Sequence, residues 1–63
     1  MKYTAIMKLE DGRSFVEASD KLSVAEHFYD CFVANGIQGT QGFYVALKNG
    51  DQNICEFNGG HTL

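Results

Sequence analysis

The sequence contains no proline and no tryptophan, and only two of its 63 residues are cysteines. Two cysteines are too few for the disulfide framework of a small secreted domain, so we expect both thiols to be free in a reducing cytoplasm. Long apolar runs are also missing, because charges at Lys8, Glu10 and Asp11 interrupt the N-terminal apolar segment. These absences predict a soluble cytoplasmic protein that does not enter a membrane.

Basic residues are few as well. The five lysines and arginines are scattered along the chain, and the formal net charge is −3. A protein that follows a phosphate backbone needs clustered basic side chains, so direct nucleic-acid binding is not expected. The length allows one domain, residues 1–63, with a thin core, since a chain of this size buries only about 60% of its unfolded surface.

Two hairpins are predicted from alternating apolar residues and turn dipeptides. Residues 3–9 alternate as a half-buried strand does, and Asp11-Gly12 is a strong signal for a two-residue turn that returns over residues 14–18. The second hairpin pairs residues 43–47 with residues 53–57 across Asn49-Gly50. The remaining residues, 58–63, are rich in glycine and read as a flexible tail.

One helix is predicted between the hairpins. Ser23 followed by Glu26 forms a capping-box pattern, and Asn35-Gly36 offers a helix end after Ala34. The apolar residues of this segment fall on one stripe at helical spacing, namely Ala25, Phe28, Tyr29 and Phe32. The expected fold is therefore α+β, an antiparallel sheet of two hairpins with one helix packed on one face (ββαββ).

A single helix covers only one face of a sheet, and the composition of the other face carries the functional prediction. If both turns have two residues, Met7 pairs with Val16 on the helix side, and Val45 pairs with Ile54. The opposite face then receives five residues, which we predict to bind a partner protein: Ile6, Phe15, Tyr44, Cys55 and Phe57. A three-residue turn with a bulge at Gly12 is the alternative, and it would shift the pairing by one residue.

The residues that could carry chemistry are a few histidines and cysteines. His27 and Cys31 lie four residues apart, and Cys55 and His61 could complete a zinc site with them. The same residues are explained more simply as a lone surface histidine and two small buried thiols, because the potential ligands are single and His61 lies in a glycine-rich tail. A Cys–His pair is also the only candidate nucleophile, and a one-helix domain has little concave volume for a substrate. We therefore expect no metal, no cofactor and no enzymatic activity.

Two resemblances add to this interpretation. Met1-Lys2-Tyr3 and the later Glu10-Asp11-Gly12 and Ser-x-x-Glu patterns are similar to the N-terminal half of HicB-type antitoxin domains. The order of hairpin, capped helix and strand over residues 3–47 resembles small phage-encoded inhibitors of host proteins, such as the T7-type inhibitor of host RNA polymerase and anti-CRISPR proteins. The second resemblance implies a non-enzymatic role on the surface of another protein.

The leading functional hypothesis is thus a non-enzymatic protein-binding module, an inhibitor or regulator of phage or mobile-element type that occupies a host protein's surface. One alternative is that the same sheet face joins two copies into a homodimeric structural or antitoxin-like regulatory domain. Another alternative is a regulator stabilised by a metal through His27, Cys31 and Cys55.

Overall fold

The structure, a computed structural model of the chain, describes residues 2–60. Four strands form an antiparallel sheet with the strand order β2-β1-β3-β4, and one helix packs on it. The predicted α+β fold of order ββαββ is confirmed. The elements are β1 Tyr3–Leu9, β2 Ser14–Ser19, α1 Leu22–Gln38, β3 Phe43–Asn49 and β4 Gln52–Gly59. Within residues 2–60, no helix has the length and apolar character needed to cross a membrane.

The core lies between α1 and the two central strands. Ala5 of β1, Ala25 of α1 and Leu47 of β3 are buried, and the half-buried rings of Phe28 and Phe32 pack around them. Because β1 and β3 occupy the middle of the sheet, the helix covers them and leaves the two outer strands only partly covered. The predicted helical stripe and the predicted face of β1 are both confirmed.

The helix is longer than predicted at both ends. It begins at Leu22 with Lys21 as the N-cap residue, so Ser23 lies inside the helix and does not cap it. Before the helix, the backbone N–H of Lys21 donates to the Ser19 hydroxyl at 3.1 Å. At the other end the helix passes through Gly36 and ends at Gln38, and the N–H of the capping residue Gly39 donates to the carbonyls of Asn35 and Gly36. The predicted end after Ala34 is therefore wrong, and Gly36 has a packing role instead.

The first hairpin adopts the three-residue turn that the sequence left as the alternative. Leu9 pairs with Arg13 across residues 10–12, and Gly12 takes a φ of 97°, which closes a type I turn with a glycine bulge. Met7 consequently pairs with Phe15 and not with Val16. This shift of one residue exchanges the two faces of β2.

The second hairpin also departs from the predicted register. Its two-residue turn is Gly50-Asp51, with φ of 61° at Gly50, so Asn49 belongs to β3 and pairs with Gln52. A bulge then adds one residue to β4 opposite the step from Leu47 to Lys48. As a result Val45 pairs with Phe57, three residues beyond the predicted Ile54.

The last strand extends further than predicted. Asn58 and Gly59 are predicted to lie in the tail but belong to β4, and Gly59 pairs with Phe43. Of the rest of the predicted tail, Gly60 follows β4, and residues 61–63 lie outside the described residues. That tail includes His61, the fourth residue of the zinc alternative.

Candidate functional site

The register divides the five predicted binding residues between the two faces of the sheet. Ile6 and Tyr44 lie on the face opposite the helix, as predicted. Phe15, Cys55 and Phe57 lie on the helix side, because they pair with Met7, Leu47 and Val45. Their assignment to the outer face was wrong for the physical reason given above: each hairpin differs from the assumed register by an odd number of residues.

The face opposite the helix is mixed in character and is not a broad apolar patch. Ile6 lies between Val16 and Ala46 at its centre, and Ala46 is already almost fully buried by its neighbours. Tyr44 donates its hydroxyl proton to Glu56 Oε2 at 2.6 Å, and this hydrogen bond raises the pKa of the tyrosine. A tyrosine held in this way presents a polar group to solvent beside a carboxylate.

A groove of about 310 Å³ lies between α1 and the first hairpin, and we call it the α1–β2 groove. Phe15 forms its outer wall and is 44% exposed, because the helix lies mainly over β1 and β3 and covers the edge strand β2 only in part. The residues that line the groove are Met7, Leu9, Arg13, Phe15, Phe32, Asn35, Gly36, Gly39 and Gln41. Four of these carry large apolar side chains, and the polar residues among them come from turns and the helix end.

One end of the groove is fixed by hydrogen bonds between two loops that are distant in sequence. The Asp11 N–H donates to Gln41 Oε1 at 3.0 Å, and the Gly42 N–H donates to Glu10 Oε2 at 2.8 Å. The first turn and the loop before β3 therefore hold each other in place. A groove whose rim is already ordered loses less conformational entropy when a ligand binds.

The charges at this end belong to the turn of the first hairpin. Asp11 Oδ1 accepts a hydrogen bond from the Arg13 N–H at 3.0 Å, and Asp11 Oδ2 accepts one from Arg13 Nε at 2.8 Å. The backbone hydrogen bond is the largest cause that holds the pKa of Asp11 below its usual value, and the guanidinium adds to it. Arg13 remains largely exposed in this pair, so it can also meet an acidic group at the rim of the groove.

Cys55 and Phe57, the other two residues predicted to lie on the outer face, are on the helix side of the edge strand β4. The Phe57 ring stacks on Phe43 with ring centroids 5.7 Å apart, and Cys55 lies beside the Tyr29 hydroxyl. Burial and the nearby thiol raise the pKa of Tyr29. Both cysteines are free and exposed, so the expectation of two buried thiols was wrong.

The residues of the zinc alternative do not assemble. His27 Nε2 lies 3.7 Å from Cys31 Sγ on the exposed side of α1, whereas Cys55 lies on β4 beside Tyr29. Residues 2–60 contain no group of three histidine, cysteine or acidic side chains that could hold a metal ion. The structure therefore gives the metal-stabilised alternative only a pair of potential ligands.

Sequence reasoning missed the groove because it depends on the register of the first hairpin. The available signal was residues 10–12, where glycine occupies the third position of Glu-Asp-Gly, a position suited to the left-handed residue of a three-residue turn.

No family model matches this chain, and neither a curated protein nor a solved structure shows significant similarity to it.

Proposed function

We propose that this protein is a non-enzymatic, cytoplasmic protein-binding module of the inhibitor or regulator type, which acts by occupying the surface of a host protein. The α1–β2 groove is its docking site in this proposal. The observation that carries it is the exposed ring of Phe15 beside a groove that α1 leaves open. A large aromatic side chain that is half exposed in a concave apolar site is typical of a binding anchor.

The chemistry of the groove indicates the kind of contact it would make. An apolar side chain of the partner would pack among Phe15, Met7 and Phe32, and a carboxylate at the rim would meet Arg13. Burial of one large apolar side chain contributes roughly 1.5–3 kcal/mol, which corresponds to a change in affinity of about 10- to 150-fold. The phage-type role extends the resemblance described above and rests on no residue of the groove.

The test is affinity capture from an extract of the source cell, with three proteins compared by quantitative mass spectrometry. Wild type is compared with Phe15→Ser and with Ile37→Ser, a matched control whose isoleucine is 57% exposed outside the groove. We expect one partner to be captured by wild type and by Ile37→Ser, and to be lost with Phe15→Ser while circular dichroism shows an intact fold. The affinity of the purified pair should fall at least about tenfold with Phe15→Ser.

Equal capture by all three proteins would contradict the groove as the docking site. Loss of folding in Phe15→Ser would show instead that this ring belongs to the core. Phe15→Leu, which keeps an apolar side chain in place, then allows the affinity to be measured in a folded protein.

A further inference from the structure

Strand β2 forms one edge of the sheet, and no other strand within residues 2–60 pairs with its outer side. Residues 14–18 are all exposed, and the strand sequence SFVEAS contains no proline and no lysine. Edge strands that stay single are usually protected by charged side chains, above all lysine, by proline or by a bulge, and β2 carries a single charge, Glu17. The other edge of this sheet, β4, carries a bulge inside the strand, whereas the glycine bulge of the first hairpin lies in the turn before β2 and the pairing of β2 itself is regular.

The hydrogen bonds around the first turn identify which backbone groups of β2 face outward. The Leu9 N–H donates to the Arg13 carbonyl, and the next amide along β1, that of Glu10, donates to Gly42 on the other side. Because hydrogen-bonded pairs alternate along antiparallel strands, Phe15, Glu17 and Ser19 bond to β1. The N–H and C=O groups of three residues are left at the edge: Ser14, Val16 and Ala18.

Three outward residues at alternate positions, centred on Val16, are self-complementary under a two-fold axis. We infer that β2 pairs with β2 of a second copy of this chain, antiparallel and in the register that places Val16 opposite itself. In this register Ser14 meets Ala18 of the second copy, so every outward amide of the strand obtains a partner. A shift of two residues one way would place Glu17 opposite Glu17, and the other way would leave Ala18 without a strand partner.

The side chains flanking the edge fit the same register. Val16 is 58% exposed, and it would face Val16 of the second copy across the axis on the side opposite the helix. On the helix side, the two Phe15 rings would be diagonal neighbours, within reach of aromatic side chains. Arg13 would lie diagonal to Glu17 of the second copy, which joins opposite charges at both ends of the interface.

The result is a continuous eight-stranded sheet in which the two α1–β2 grooves lie side by side across the axis. The pairing covers the exposed apolar residues of β2. Burying them would add stability to a chain whose own core is thin. It needs no partner protein and therefore does not depend on the function proposed above, although Phe15 contributes to both sites.

The test combines the solution mass with amide exchange over a range of protein concentrations. Sedimentation equilibrium should show a mass that rises from 7.0 kDa toward twice that value as the concentration rises. Over the same range, exchange of the Ser14, Val16 and Ala18 amides should slow at least tenfold, while the Phe15 and Glu17 amides are protected throughout.

Two lysine variants locate the interface. Val16→Lys should hold the protein at the mass of one chain with an unchanged circular dichroism spectrum, since an edge lysine prevents strand pairing. Ile54→Lys, the matched control on the other edge strand, replaces a residue that is 46% exposed and should associate as wild type does. The inference is overturned if wild type stays a monomer, if Val16→Lys still associates, or if association leaves the three outward amides unprotected.

Discussion

The aromatic ring of Phe43 fills the space that a side chain on Gly36 would occupy. Gly36 is buried inside α1, and Phe43 is the first residue of β3, so this contact fixes how closely the end of the helix approaches the sheet. The same ring lies against Gly59 of β4 and stacks on Phe57. One aromatic residue thus joins the helix to both strands of the second hairpin.

Gly36→Ala should destabilise the protein even though alanine is the better helix former. The gain in helix propensity is about 1 kcal/mol, whereas overpacking against a ring costs roughly 1–3 kcal/mol, so we expect a net loss near 1 kcal/mol in urea unfolding. Gly60→Ala is the control, because a side chain there would meet open space. A stabilised Gly36→Ala variant would show that the helix does not pack this closely on Phe43.

Gly12→Ala tests the turn that sets the register of β2. Its φ of 97° is unfavourable for a residue with a Cβ, so we expect a loss of about 1–2 kcal/mol although no atom lies in the way. Gly12→Asn should cost less, since asparagine tolerates the left-handed region better. If alanine and asparagine are both neutral, the three-residue turn does not exist in solution.

The element order, the face of β1 and the helical stripe follow from periodicity and turn signals, which is why the sequence predicts them correctly. The registers of the two hairpins do not follow from periodicity. One additional residue in a turn, or one bulge, moves all side chains of a strand to the other face of the sheet. Phe15 shows the consequence: its neighbours in sequence suit either face, and only the conformation of Gly12 decides between them. The groove could not be predicted for this reason, since its outer wall is Phe15.

The end of the helix illustrates a second limit. Asn35-Gly36 has the composition of a helix end, yet the helix continues through Gly36. The glycine at this position leaves room for the ring of Phe43, which packs where a Cβ would lie. Such a contact joins residues from different elements and leaves no local trace in the sequence.

The Asp11 carboxylate gives the first turn a pH dependence. Its pKa is lowered in the folded state, so its contribution to stability is present above the unfolded pKa and is lost as the pH falls through the folded pKa. We expect Asp11→Ala to be less stable than wild type near neutral pH and the difference to vanish in acid. Carboxyl NMR should place the Asp11 pKa below 3.8, and Asp20→Ala is the control for an aspartate outside the turn. A gap that persists unchanged in acid would contradict this role.

A strong chelator should leave the melting temperature unchanged. His27 and Cys31 supply two ligands at most, whereas structural zinc sites use four, and Cys55 lies elsewhere. Differential scanning calorimetry with and without chelator checks this, with His27→Ala as the variant that removes one potential ligand. A lower melting temperature with chelator in wild type, absent in His27→Ala, would restore the metal-stabilised alternative.

The central claim is that Phe15 faces the helix and Val16 faces away from it, since both the groove and the outward edge of β2 depend on that register. Nuclear Overhauser spectra of the wild-type protein measure it directly. We predict contacts from the Phe15 ring to Met7 and Phe32, and from the Val16 methyls to Ile6. Contacts from the Phe15 ring to Ile6, with Val16 against Met7, would contradict the account.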